Sequence, residues 1–239
     1  MLQLSILLRQ TPELLPVSEY CRLKEKGVRK GALEAIGLCL EQTLSYSRHK
    51  RLSLAMRLLE LHYTFPQVRN FLCYPLLEEF IRPSLRIMAH PGNEAFRELA
   101  LLDSFMGKGM PALRIALRYA PSDNAVRGRI VSILLQQARY AMHRLEESRF
   151  IGREEKCGEI LQEAADLLRG HYGESPYLDS LAKTHQALSG LLEEWMAYKN
   201  EASDILFPQW KTLSYSCPPG RRGLTPAGCQ SPRHAAPYL

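Results

Sequence analysis

The chain has 239 residues, of which 46% are apolar and 23% are charged, and its net charge is +6. This length is enough to bury a core without disulfides or metal ions, and it allows one large domain or two small ones. Both fractions are close to globular averages, which excludes a wholly disordered chain.

The first ten residues, MLQLSILLRQ, form a short apolar run closed by Arg9. The run is too short for the core of a secretory signal, and no later segment reaches the about 18 apolar residues of a membrane span. The six cysteines are widely scattered, which predicts reduced thiols instead of a disulfide framework or a zinc site. Together these features predict a soluble, cytoplasmic protein.

Positive charge is concentrated between residues 22 and 51, a segment that contains eight basic residues and only three glutamates. The basic residues are Arg22, Lys24, Lys26, Arg29, Lys30, Arg48, Lys50 and Arg51. They bracket one helical segment and form a candidate site for nucleic acid or another anionic surface, with solvated loops as the structural alternative. Only Tyr20 and Tyr46 offer nearby rings for base stacking.

From residue 33 to residue 213 the apolar residues recur at intervals of three and four, which is typical of amphipathic helices. Strict alternation over a strand length is absent. The first inward-facing stripe is predicted to consist of Leu33, Ile36, Leu40 and Leu44. Further along, Pro66 and Pro75 bracket a short helix, and Pro83 predicts a kink or break because proline lacks a backbone donor.

Residues 94–120 are expected to form a helical hairpin. Asn93 is suited to cap the first helix of this hairpin. The sequence GKG at 107–109 is expected to turn the chain, and Pro111 is expected to lie in the first turn of the second helix. Pro121 ends the hairpin.

Helical patterns continue after this corner. Ser122, helped by Asp123, is expected to cap a helix that runs to about Glu147. Further helices are predicted from Arg153 to Leu168, from Pro176 after a Ser175 cap, and over about residues 202–213.

The hairpin resembles a tetratricopeptide repeat on several positions. When the helix-ending proline of the repeat pattern is aligned with Pro121, Ala116 falls at the position where the pattern has a small residue. Phe96, Gly109 and Leu113 then stand at pattern positions where they are tolerable replacements for the usual residues. Arg97 departs from the pattern, because a small residue there lets the two helices approach. The resemblance covers about 30 residues and implies stacked helical hairpins with an inner surface that binds a polypeptide. A 34-residue repeat would place further prolines near residues 87 and 155, whereas they stand at 91 and 176.

The predicted fold is therefore all-α: an irregular stack of antiparallel helical hairpins, with a compact helical bundle as the alternative. It comprises one helical domain over residues 1–213, with a subdivision near residue 90 as an option. Residues 214–239 contain five prolines, three arginines and no acidic residue. This composition predicts a disordered tail, or an atypical C-terminus from a changed reading frame.

No catalytic residue, metal ligand or cofactor is predicted, because no nucleophile, metal-binding or phosphate-binding motif has its required spacing. The leading hypothesis is a non-enzymatic scaffold or adaptor that binds a protein or peptide. Its candidate contact residues near the hairpin faces and corners are Arg97, Arg118, Tyr119, Arg127 and Arg129. The alternatives are an anion-binding protein that uses the basic residues at 22–51 and an all-α enzyme whose site assembles from distant helices. Oligomeric state is not specified by the pattern.

Overall fold

A computed structural model describes residues 2–65, 72–104, 109–170, 173–201 and 205–216. The all-α prediction is confirmed: these residues form helices and turns, without a β-strand among them. Two compact units are present, residues 1–130 with 171–174, and residues 131–170 with 175–239. Some predictions fall outside the described residues: the helix start at 66–71, the turn residues 107 and 108, and the tail from 217 onward.

The first unit contains seven α-helices in its described residues and the start of an eighth. Their bounds are α1 Leu2–Arg9, α2 Leu15–Glu25, α3 Arg29–Leu44, α4 Arg48–Thr64, α5 Arg82–Met88, α6 Glu94–Ser104, α7 Met110–Tyr119 and α8 Asn124–Met142. Packing follows chain order along much of this unit, since α1 contacts α2, α2 contacts α3, and α4 to α7 contact one another in succession.

The core of this unit is built from the inward faces of α1 to α6. Leu4 and Leu8 of α1 are fully buried, so the apolar run at the N-terminus is a core helix. On α3 the predicted stripe is only partly right: Ile36 is buried and Leu40 is partly buried, but Leu33 and Leu44 are exposed. The buried face of α3 carries mostly small residues, Ala32, Ala35, Cys39 and Thr43 with Ile36.

The helix around Pro83 changes type where a kink or break was predicted. A π-helical stretch, Leu76–Ile81, leads directly into α5, and the Arg82 N–H donates to the carbonyl of Leu77, five residues back. The wider turn accommodates a proline that cannot donate a backbone hydrogen bond. The side chain of Arg82 is buried, and it forms ion pairs with Glu78 at 2.8 Å and with Asp103 of α6. This buried arginine therefore links α5 to α6.

The α6–α7 hairpin begins and closes as predicted. Asn93 caps α6, because its Oδ1 accepts a hydrogen bond from the Phe96 N–H at 2.8 Å. Pro111 lies at the start of α7, and α7 ends at Tyr119, two residues before Pro121. At Gly109 a side-chain carbon would lie 2.5 Å from the backbone nitrogen of Ser104. The two helices thus approach closely only because residue 109 has no side chain.

The second unit contains the end of α8 and three further helices, α9 Glu154–Arg169, α10 Pro176–Glu201 and α11 Phe207–Ser216. Ser148, in the left-handed conformation with φ 55°, accepts a hydrogen bond on Oγ from the Phe207 N–H at 2.7 Å. The Tyr198 hydroxyl donates to the Ile205 carbonyl at 2.8 Å. Phe207 is buried beside Trp195, with ring centroids 5.4 Å apart. These contacts attach α11 to α10 and to Ser148. Helix α11 extends to residue 216, past the predicted end near 213.

Candidate functional site

The corner between α7 and α8 is organised by Asp123. Its Oδ1 accepts hydrogen bonds from the N–H groups of Ala125 at 3.0 Å and Val126 at 3.1 Å. Asp123 is therefore the cap of α8, and the prediction that Ser122 would have this role is wrong. Aspartate and serine are equally good caps, so local sequence does not rank them. The distinction comes from Arg97, whose Nε donates to Asp123 Oδ2 at 2.5 Å.

Arg97 connects α6 to this cap across 26 residues of sequence. It also forms an ion pair with Glu98, whose side chain is buried. The hydroxyl of Tyr63, on α4, donates to Glu98 Oε2 at 2.6 Å. The arginine that departs from the tetratricopeptide pattern thus forms part of a polar network that joins α4, α6 and the start of α8.

The electrostatics of this network follow from its burial. Burial raises the pKa of the Glu98 carboxyl above its usual range, although the Tyr63 hydroxyl and Arg97 act in the opposite direction. For Asp123 burial also favours a higher pKa, but hydrogen bonds from Arg97 and two backbone N–H groups outweigh it and hold the pKa below its ordinary value. Burial and the nearby Glu98 charge raise the pKa of Tyr63. Of the two carboxyl groups in this network, Asp123 is therefore the one whose ionised form is favoured.

Two other predicted contact residues also support the corner internally. Arg127 is buried, and its guanidinium donates to the carbonyl of Pro121 at 2.5 Å. The Arg129 Nε donates to the hydroxyl of Ser104 at 2.7 Å. With Arg97, these three arginines hold the helices of the first unit together, and their side chains are only partly available to a partner.

Arg118 and Tyr119, in contrast, lie at the surface. They line an open groove of about 400 Å³ together with Pro91 and Ile115. The Tyr119 ring packs over Gly92, where a side-chain carbon would lie 2.9 Å from the ring and where φ is +92°. Tyr119 is nevertheless 63% exposed. The ring is therefore anchored on one side and presented to solvent on the other.

The basic residues at 22–51 separate into two groups. Arg22 pairs with Glu19, Lys50 pairs with Glu13 at 2.8 Å, and the Arg51 guanidinium lies over the ring of Phe80 at 5.9 Å. Lys24 donates to the Tyr20 hydroxyl at 2.9 Å. The other four side chains are exposed and have no ion pair within the described part of the chain: Lys26, Arg29, Lys30 and Arg48.

The second half of this basic region is helical. Ser47 caps α4, since its Oγ accepts from the Lys50 N–H at 3.3 Å, so residues 48–51 form the first turn of a helix. The sequence SRHKR is therefore the cap and first turn of a helix, and not one of the solvated loops that were the structural alternative for this region. Lys26 lies at the end of α2, and Arg29 and Lys30 open α3. The exposed charges thus lie at both ends of α3.

Among the described residues there is no group of three or more histidines, cysteines, aspartates or glutamates that could hold a metal ion. The ring nitrogens of His143 and His185 contact backbone carbonyls of Tyr140 and Leu161 at 2.6 Å and 3.0 Å. Burial raises the pKa of Cys21 to about 12 and that of Cys39 to about 11, which disfavours the nucleophilic thiolate. No described helix is long and apolar enough to cross a membrane.

Sequence reasoning did not identify the exposed leucines of α3 as a surface. Leu33 is 50% exposed and Leu44 is 77% exposed. The available signal was that α3 carries two stripes with helical spacing, one of leucines and one mainly of small residues, and only one could face the core.

No protein-family model matches the chain, and no curated protein or solved structure is significantly similar to it.

Proposed function

We propose that this chain is a non-enzymatic protein that binds a polypeptide partner, and that the groove formed by Pro91, Ile115, Arg118 and Tyr119 is its contact surface. The observation that carries the proposal is the position of Tyr119, which is packed against Gly92 and yet largely exposed. A ring held in this way loses little conformational entropy when a partner covers it.

The chemistry of the groove supports a protein partner. Tyrosine and arginine are enriched among the residues that dominate binding energy at protein interfaces, and Arg118 and Tyr119 are adjacent at the end of α7. Ile115, one helical turn earlier, adds apolar surface. An enclosed pocket would bury most of a small ligand, whereas an open groove suits a side chain or segment of another protein.

The corner that follows Tyr119 is suited to this role because side-chain contacts tie it to neighbouring helices. Arg97 and Asp123 fix the start of α8 to α6, and Arg127 fixes the Pro121 carbonyl directly after α7. Preorganised surfaces bind more tightly because less ordering is needed on association. In this proposal Arg97, Arg127 and Arg129 position the groove, and Arg118 and Tyr119 contact the partner.

The proposal is tested by isolating a partner from cells that express the chain and measuring the affinity of the two purified proteins by titration. We expect Tyr119→Ala to weaken binding by about 30-fold, the effect of removing one dominant interface aromatic. Tyr177→Ala is the matched control, because Tyr177 is an exposed tyrosine on α10 in the second unit. Equal affinities for the two variants would refute the groove as the contact surface.

A further inference from the structure

Helix α3 presents a line of apolar surface that the proposed groove on α7 does not include. Leu33, Gly37, Leu40 and Leu44 are spaced by four, three and four residues, which places them along one side of a helix. We name these four residues the α3 stripe. It covers eleven residue steps, or about 16 Å along the helix axis.

The α3 stripe is both exposed and anchored. Leu33 and Leu44 at its ends are exposed, while Leu40 is partly buried against the core and fixes the stripe beside the buried face. Apart from the two neighbouring residues and the backbone of α3 itself, no atom lies within 4 Å of the position that a side-chain carbon at Gly37 would occupy. The stripe therefore has the form of two leucine ridges with a notch between them, which can receive a side chain from a second helix.

Positive charge lies at both ends of the α3 stripe. Arg29 and Lys30 are in the first turn of α3, and Arg48 opens α4 four residues after Leu44. All three are exposed, and none has an ion-pair partner in the described residues. Glu34 and Glu41 lie further round the helix from the leucines, so the middle of α3 is not cationic. A helix that covers the stripe meets uncompensated positive charge at its two ends.

The positive charge at both ends of the α3 stripe disfavours two occupants, a second copy of the chain and the C-terminal segment of the same chain. In a symmetric pair of two copies, an antiparallel arrangement brings Arg29 near the partner copy's positively charged α4 start, and a parallel one brings like ends together. Either arrangement opposes like charges. Residues 217–239 of the same chain contain three arginines, no acidic residue and five prolines, so this segment is also cationic and is unsuited to an amphipathic helix.

We infer that the α3 stripe binds an amphipathic helix of another protein, with an apolar line of matching length and acidic residues at both ends. The leucines supply apolar contact, Gly37 receives a central side chain, and Arg29, Lys30 and Arg48 pair with the terminal carboxylates. Helix-in-groove recognition commonly uses anchors with this spacing. The inference concerns a second surface and does not depend on the groove at Tyr119.

The test uses the full chain and a displayed library of helical peptides that carry leucines at positions i, i+4, i+7 and i+11. The flanking positions at both peptide ends are randomised between glutamate and lysine. We expect selection to enrich glutamate at both ends. Enrichment of lysine, equal recovery of both residues, or recovery of no binder would each overturn the inference.

Variants of the chain then locate the contact for the best synthetic peptide. Leu44→Asp is expected to weaken its binding by about 30-fold, because a charge replaces an apolar anchor. Leu38→Asp is the matched control, since Leu38 is a 56% exposed leucine on the same helix but outside the stripe. Both variants change an exposed side chain, and unchanged far-UV circular dichroism verifies their folding. Equal effects of the two variants would overturn the inference.

Charge and oligomeric state are tested in the same system. Reversal of Arg29 and Arg48 to glutamate should weaken peptide binding and reduce its salt dependence, whereas Lys183→Glu on α10 should not. Tyr119→Ala should leave peptide binding unchanged, which separates this test from that of the proposed groove. A dimer in light scattering that Leu44→Asp dissociates would identify a second copy as the occupant and overturn the inference.

Discussion

Replacement of Asp123 by alanine is expected to destabilise the corner by removing two interactions at once. The carboxylate caps α8 through the N–H groups of Ala125 and Val126, and it pairs with Arg97. Alanine offers no acceptor to either. The neighbouring Ser122 has neither interaction, so Ser122→Ala is the matched control within the same turn.

The magnitude follows from the two contributions. Loss of an N-cap costs about 1 kcal/mol, and loss of a hydrogen bond between charged groups costs about 1.5–3 kcal/mol. The Asp123 side chain is 11% exposed but Arg97 is 31% exposed, so solvent screening favours the lower end of the second range. We expect Asp123→Ala to reduce the free energy of unfolding by about 2–3 kcal/mol. Ser122→Ala should change it by less than about 0.5 kcal/mol.

Asp123→Asn separates the cap from the charge. Asparagine caps as well as aspartate, so this variant should retain the cap and lose about 1–2 kcal/mol from the ion pair. The folded-state pKa of Asp123 lies below its unfolded value. The advantage of the native protein over Asp123→Asn is therefore fully present above about pH 4 and disappears as the pH falls through the folded-state pKa.

Urea unfolding followed by far-UV circular dichroism measures these differences, and hydrogen exchange at the amides of Ala125 and Val126 locates them. Both tryptophans, Trp195 and Trp210, are in the second unit, so their fluorescence provides a separate reference for that unit. A Ser122→Ala variant as unstable as Asp123→Ala would refute the assignment of the cap. A difference between the native protein and Asp123→Asn that persists unchanged at pH 3 would refute the ion pair.

Two further predictions test the packing of the units. Gly109→Ala should destabilise the first unit by about 2–3 kcal/mol, because the new methyl group collides with the backbone of Ser104. Gly158→Ala should instead stabilise the second unit by about 0.5–1 kcal/mol, because Gly158 lies in open space within α9 and alanine favours the helix. Urea unfolding of the two variants checks the opposite signs, and equal signs would contradict the close approach. Phe207→Ala should cost about 3–5 kcal/mol and shift tryptophan fluorescence, while Leu213→Ala on the exposed side of α11 should have little effect. An undisturbed fluorescence spectrum in the Phe207 variant would contradict the packing of α11.

The helices and most of their ends were predictable from sequence because their causes are local. Asn93 caps α6, Ser175 lies before α10 and accepts from the Leu178 N–H at 3.4 Å, and α9 ends at Arg169 before Gly170. Each assignment depends on one residue and the backbone within four positions of it. The corner at Pro121 was predictable for the same reason.

The candidate contact residues were predictable only in part. Their positions near the corner followed from helix boundaries, but whether an arginine faces solvent or a neighbouring helix depends on residues distant in sequence. Arg97 meets Asp123 26 positions later, whereas Arg118 lies in the surface groove. In the sequence both residues are arginines within a predicted helix. Their composition and spacing therefore do not show which side chain contacts a neighbouring helix and which faces solvent.

By itself the sequence determined an all-α chain, most of the positions where its helices start and stop, and the concentration of positive charge at 22–51, because backbone hydrogen bonding and residue charge are local properties. Only the tertiary structure decided that Asp123 caps α8, that Ala32 and Cys39 rather than Leu33 and Leu44 face the core from α3, and that Tyr119 stays exposed. These outcomes depend on which helices pack together. A helix with two apolar stripes can bury only the one that its neighbours cover.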